Sequence, residues 1–278
     1  MGLRDIDNYP PQEPFSEIGV RYHIRTLELG AGVCGESFAY GDDPYQEVAV
    51  FSAPKPTGDV IAFMHGGGWT NGYKEWLAFM APPLTAAGIT FVSMGYRLAP
   101  AVIWPAGVED AAAGIKWVHA NIAAHGGDRE RIFVGGHSAG GHQATWLAVR
   151  DDWQQAAGVP EDVIRGVLPV SGVYDFTEAG GMPARPRFLG DKVANDRDAS
   201  PIHNIANTPP FLMTWGDADF PHLITQAGAM ADALRAAGAA VETCCLYNCD
   251  HLGASYACGD VAAPWLSNVK EWVEKIRD

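Results

Sequence analysis

A chain of 278 residues, 47% of them hydrophobic, is long enough to bury a substantial core as one large α/β domain or two smaller ones. Its 33 acidic against 19 basic side chains give a formal charge of −14, a field that repels phosphate backbones and anionic membranes, so neither nucleic acid nor a membrane is an expected partner. No run approaches the roughly 18 apolar residues of a membrane span. The opening "MGLRDIDNYPPQEP" lacks a basic n-region, an apolar h-region and a myristoylation signal, so a cytoplasmic location is expected.

Residues 1–40 are rich in Pro and Gly and do not read as regular elements. Beyond them, short apolar runs alternate with longer helical patterns, the signature of a mostly parallel sheet with crossover helices. The strand candidates in chain order are "EVAVFSA", "DVIAFMH", "ITFVSMGY", "RIFVGGH", "GVLPVSG", "PFLMTWG" and "VETCCLY". Helical patterns begin near Lys74, Ala106, Ala139, Leu223 and Val261. The one from Ala106 stops at Gly126 and Gly127, a glycine C-terminal signal. Residues 176–209 mix charges, Pro and Gly and interrupt the alternation. This segment and residues 1–40 read either as solvated loops or as cap segments over the carboxyl ends of the strands, where open α/β sheets bind ligands. With no repeat, low-complexity tract or long charge run, one domain over residues 1–278 is the economical reading.

Gly136-His137-Ser138-Ala139-Gly140 fits GxSxG, and it lies where that pattern needs to lie, after a β-rich run and before the Ala-rich "AGGHQATWLAV". On a sharp strand-to-helix turn, only glycines at the flanking positions avoid collision with the neighbouring strand and helix. Such a turn lifts Ser138 Oγ out of the sheet and sets it beside the free N–H groups of a helix start. Residues 65–69 read "HGGGW", directly after another strand. Acyl transfer by a serine develops negative charge on the substrate carbonyl oxygen, and backbone N–H groups of Gly67, Gly68 and Ala139 are the candidate donors to it.

"HGGGW", "YRLAP" at 96–100 and "GHSAGG" together resemble the α/β-hydrolase fold, closest to the hormone-sensitive-lipase-like carboxylesterases and the related arylformamidases. The resemblance runs from about Tyr40 to the C-terminus. It implies an α/β-hydrolase fold, a mostly parallel central sheet with helices on both faces and a small cap. It also implies a chain order of nucleophile, acid, histidine, which leaves His203, His222 and His251 as bases. His251 follows the last strand, ahead of the terminal helix, and matches the family's catalytic histidine. His203 precedes a strand and His222 lies too close to the acid candidates. The family places its carboxylate three residues after the glycine that closes the preceding strand, which gives Asp219, with Asp217 the fallback. The family's usual His before that glycine is Trp215 here. Asp250 adjoins His251, and adjacent side chains rarely converge.

Trp69, His137, Tyr174, Trp215 and Phe220 lie in or near loops after strands and are candidate substrate contacts; Trp104 shares that placing, with core packing the alternative for it and for Tyr174. His65 is expected to hold its own glycine loop, and His137 and His142 flank the elbow. Cys34, Cys244, Cys245, Cys249 and Cys258 are odd in number and expected as free thiols. With no CxxC pair, no metal is expected, and the chemistry requires no cofactor. The expected activity is serine hydrolysis of a carboxylic ester of a small substrate through an acyl-enzyme. An arylformamidase acting on N-formyl or activated amides, and a ligand-binding receptor on a disabled hydrolase scaffold, are the alternatives. A homodimer is possible by resemblance, though no stretch marks an interface.

Overall fold

A computed structural model describes residues 2–277. The apolar runs pair into one eight-stranded sheet: β1 (Glu36–Ala39), β2 (Glu47–Phe51), β3 (Gly58–Met64), β4 (Thr90–Met94), β5 (Gly127–His137), β6 (Gly166–Val170), β7 (Phe211–Gly216) and β8 (Val241–Leu246), in spatial order β1-β2-β4-β3-β5-β6-β7-β8. β2 runs antiparallel to both β1 and β4, and the remaining pairings are parallel. Strands β2, β4 and β6 are buried along their whole length, which is why they read as continuous apolar runs rather than alternating ones.

Successive strand residues go to opposite faces. Val60, Ala62 and Met64 of β3 enter a core shared with α3 (through Val108, Ala111 and Ile115), α4 (Leu147) and α7 (Leu223, Met230). Ile61 and Phe63 enter a second core with Leu77, Leu84, Trp265 and Trp272. Helices therefore cover both faces, as expected. In chain order they are α1 (Glu17–Leu29), α2 (Ala81–Ala86), α3 (Ala106–Asn121), α4 (Ala139–Val149), α5 (Gln154–Ala157), α6 (Ala194–Asp198), α7 (Pro221–Ala236), α8 (His251–Tyr256) and α9 (Pro264–Arg277). α3 runs into a 3₁₀ turn that ends at Gly126, left-handed at φ 80°, which is the glycine stop read from the sequence.

Three local readings change. The helical pattern from Lys74 is a 3₁₀ helix over Lys74–Met80 followed by α2, because Pro82 and Pro83 have no N–H to continue an α-helical ladder back through the preceding turn. The segment 1–40 contains a thirteen-residue helix, α1, started by Ser16, whose side chain accepts the Gly19 N–H. β1 carries no apolar run in the sequence, being four residues long with only Ser37 buried.

The elbow between β5 and α4 tolerates no extra atoms. A Cβ on Gly140 would overlap the carbonyl of Met64, and one on Gly136 the backbone of Gly140. Gly228 in α7 is exposed with nothing within 4 Å of such an atom. Urea denaturation should therefore show Gly140→Ala losing about 3 kcal/mol or more, while Gly228→Ala gains about 0.5–1 kcal/mol from helix propensity. Equal effects at the two positions would contradict this packing.

Candidate active site

Ser138 sits between the end of β5 and the start of α4 with φ 55° and ψ −115°, in a region that L-residues rarely occupy. Its N–H donates to Val170 O at 2.9 Å, and its carbonyl accepts the His142 N–H at 3.0 Å, so both flanks of the strained residue are tied. Opposite, the turn after β3 holds Gly67 at φ 111° and Gly68 at φ 63°. The Gly67 carbonyl accepts the N–H groups of Thr70 and Asn71 at 3.2 and 3.0 Å. The N–H groups of Gly67, Gly68 and Ala139 donate to no backbone carbonyl among the described residues. His65 secures this loop: its buried ring stacks on Tyr96 at 4.3 Å, its Nδ1–H donates to Gly66 O at 2.7 Å, and Tyr96 OH donates to His65 O at 2.8 Å.

His251 is the first residue of α8, whose N-cap is Asp250; that carboxylate is committed to the helix start, accepting the Gly253 N–H at 2.7 Å. The imidazole spans the gap between two distant loops. Its Nε2 lies 3.0 Å from Ser138 Oγ and its Nδ1 2.9 Å from Asp219 Oδ1. A carboxylate only accepts, so the proton of neutral His251 is on Nδ1 and the Nε2 lone pair faces the serine hydroxyl. Asp219 is 5% exposed, and its Oδ1 also accepts the Phe220 N–H at 2.7 Å. Burial is the largest single influence and pushes this carboxyl up, but the hydrogen bond and charge of His251, with the Ser171 hydroxyl and the Phe220 N–H, together outweigh it and the net displacement is below the ordinary aspartate value. Asp217 is exposed, and its backbone N–H donates to Leu246 O at 3.1 Å.

Above the serine is a cleft of about 610 Å³. Its floor includes Gly67, Gly68, His137 and His251, and Phe220 stands at its edge with its ring 5.0 Å from that of His251. Both segments left open by the sequence form walls: Phe15, Ile18 and Tyr22 from the N-terminal side, Arg185 and Arg187 from the 176–209 side. Trp76 and Leu252 complete an aromatic and aliphatic lining. These wall residues were missed, although Ser16 ahead of a pattern with Ile18 and Tyr22 four apart is a legible helix start.

Three of the candidate substrate contacts lie elsewhere. Trp69 is also left-handed (φ 62°), and its ring stacks on Phe188 at 4.2 Å while its Nε1–H donates to His142 Nδ1 at 3.1 Å, inside the core beneath the cap. Tyr174 is fully buried in the same core. Trp215 is still within β7, so its side chain packs on a sheet face instead of beyond the strand end. Trp104 is core as well, donating to Asp198 Oδ2 at 2.8 Å. His142 donates from Nε2 to Ala199 O at 2.8 Å, which ties the cap to α4. All five cysteines are free thiols, and among the described residues no group of three or more His, Cys, Asp or Glu could hold a metal ion. No helix there is long and apolar enough to cross a membrane.

Burial pushes His65 and His142 down to about 4, and burial together with the adjacent His251 pushes His137 down too. The unfolded chain binds these protons near pH 6.5 and the folded one only near 4 for His65 and His142 and lower still for His137. Between those values the unfolded state holds more protons, so stability falls as pH falls, by about 1.4 kcal/mol per unit per histidine. A thermal melting series should drop steeply from pH 6.5 to 4. His142→Gln should flatten the drop while lowering the midpoint at pH 7; an unchanged slope would show that this ring does not titrate as argued.

The chain is similar to proteins of known kind. A family model described as alpha/beta hydrolase fold matches residues 61–254. Esterase LipC of Mycobacterium tuberculosis is 34% identical over 218 residues, covering 71% of this chain and 54% of LipC. The isoprenylcysteine alpha-carbonyl methylesterase ICME of Arabidopsis thaliana is 29% identical over 231 residues, 74% of this chain and 53% of the relative. The chain thus spans about half the length of the curated relatives it matches. Among solved structures, esterase B of Lactobacillus rhamnosis superposes with a TM-score of 0.76 at 20% identity, covering 93% of this chain and 91% of that one. Apo Thermogutta terrifontis esterase 2 gives 0.72 at 23% identity, with 87% and 94% covered. Sheet order, elbow and matched family model agree, and the chain belongs to the α/β-hydrolase fold family.

Proposed function

We propose that this protein is a serine esterase that cleaves carboxylic esters of small, uncharged or modestly polar substrates. The observation that carries the reading is the continuous chain of hydrogen bonds Ser138–His251–Asp219, from residues 113 and 32 positions apart, at the floor of a cleft whose walls are mostly aromatic and aliphatic with Arg185 and Arg187 on one side. Esterases among the similar proteins support it.

As the Ser138 oxygen attacks the ester carbonyl, His251 Nε2 takes the hydroxyl proton and the carbonyl π electrons move onto oxygen. The oxyanion accepts from the N–H groups of Gly67, Gly68 and Ala139, each such donor being worth about 2.7–4 kcal/mol in the transition state. Asp219 stabilises the imidazolium and holds its tautomer. Collapse expels the alcohol, which leaves with the proton from His251. Water then attacks the acyl-enzyme by the same proton route in reverse, releasing the acid and Ser138. The walls of Phe15, Ile18, Tyr22, Trp76, Phe220 and Leu252 favour an apolar acyl or alcohol group.

A fluorophosphonate probe should label wild type and not Ser138→Ala, and short p-nitrophenyl esters should be turned over faster than N-formyl anilides. Faster formanilide turnover would make the protein an amidase of the same chemistry. Absence of both labelling and turnover would make it a binding protein. Asp219→Asn should lower kcat by about 10⁴, since the wrong tautomer then faces the serine, while Asp217→Asn stays within about twofold. Ile18→Trp, which narrows the cleft from α1, should lower kcat/KM for an octanoyl relative to an acetyl ester by about tenfold or more. Equal losses on both esters would remove α1 from the binding surface.

A further inference from the structure

The imidazole of His137 occupies a position that the reaction above does not use. It closes β5, one residue before the nucleophile, and it is 2% exposed. Its Nε2 lies 2.9 Å from the backbone carbonyl of His251, and because a carbonyl only accepts, the His137 proton is on Nε2. Its Nδ1 is buried without a partner. The ring stacks on Tyr22 of α1 at 5.7 Å, lies 4.7 Å from the His251 ring, and has its Nδ1 beside Gly66, where a Cβ would stand 2.9 Å away. One side chain therefore touches the glycine loop, the elbow, the N-terminal wall and the main chain of the base.

Resting on the esterase reading, we propose that His137 is a positioning residue for His251: its Nε2–H, carried on the residue next to Ser138, clamps the carbonyl of the base and sets the distance between base and nucleophile. His251 begins a helix of six residues reached from a separate strand, β8. Its link to Ser138 Oγ is a single hydrogen bond at the tip of a side chain. The His137 bond is a second link, made from the side chain beside the nucleophile to the main chain of the base, and it does not involve the serine proton. The neutral ring, kept so by burial and the adjacent imidazole, adds no charge against the imidazolium that forms on His251.

Two substitutions separate the hydrogen bond from the packing. His137→Gln keeps an N–H donor at the reach of Nε2 and loses the ring; His137→Phe keeps a ring against Tyr22 and loses the donor. On an ester that wild type turns over, His137→Gln is expected to keep kcat within about fivefold. His137→Phe is expected to lose about 100-fold in kcat with KM within about threefold, the scale of a misplacement of about 1 Å. The Nδ1–H proton resonance of His251 provides a readout that needs no turnover, so it separates failure of this proposal from failure of the esterase reading. It should be sharp in wild type and His137→Gln and broadened by solvent exchange in His137→Phe. If His137→Phe does not fold, His137→Leu takes its place. A donor-free variant as active as His137→Gln, or a sharp His251 resonance without the donor, would overturn the proposal.

Discussion

An L-serine held at φ 55° is a strained residue, costing on the order of 1–3 kcal/mol, and the rest of this molecule is arranged around keeping Ser138 there. The restraint comes from the sheet. Ser138 N–H is committed to the end of β6 through Val170 O, and its carbonyl to the first turn of α4. Gly136, Gly140 and the β3 carbonyls lie so close that the chain cannot relax sideways. What results is a hydroxyl raised above the strand ends, with a helix start behind it and the glycine turn after β3 opposite. A less constrained serine would have no fixed relation to either set of N–H groups.

The second constraint is how the cleft wall stays closed over this point. Lys74, with a side chain wholly buried, donates to Glu47 at 2.8 Å, to Glu75 at 2.5 Å and to Tyr9 OH at 2.8 Å. Arg4 pairs with Glu47 through its guanidinium and with Glu75 through its backbone N–H. A buried charge cluster of this kind contributes little net stability, but removing one partner leaves the others uncompensated, so it fixes one arrangement. Beyond it, Gln12 exchanges two hydrogen bonds of 2.9 Å with the backbone of Gly72, and Asn71 donates to Glu13 O at 2.6 Å. The N-terminal segment is thus fastened to the same loop that carries Gly67 and Gly68 before it turns into α1 and lines the cleft. The wall and the proposed oxyanion donors form one unit. On the other side, the Ala199 carbonyl held by His142, with the Trp69 ring below, anchors the 176–209 segment.

Much of this was legible from local pattern. Strand and helix spacing, the glycine stop of α3, GxSxG between a strand and a helix, and the glycine run after β3 each depend on residues within a few positions of one another. Chain order and strand ends brought Asp219 and His251 forward on resemblance, and the structure brings both to Ser138. Wall residues were less legible. Trp69, Tyr174 and Trp215 satisfied the rule that ligands meet loops after strands, yet a position after a strand does not say which way a side chain leaves it. Left-handed backbone at Trp69 and the β pleat at Trp215 direct both rings into packing. Phe220 satisfied the same rule and does face the cleft.

The amino-acid order alone determined where the chain must bend, which stretches must be buried, and that a serine would be lifted on glycines, because steric exclusion and hydrophobic period act over short separations. Only tertiary packing decided that Asp219 and not Asp217 meets His251, that residues 13–22 become a wall, and that His137 reaches the main chain of the base. Those outcomes depend on distances of a few ångströms between segments far apart in the chain. Such distances follow from the sum of all packing and not from any motif.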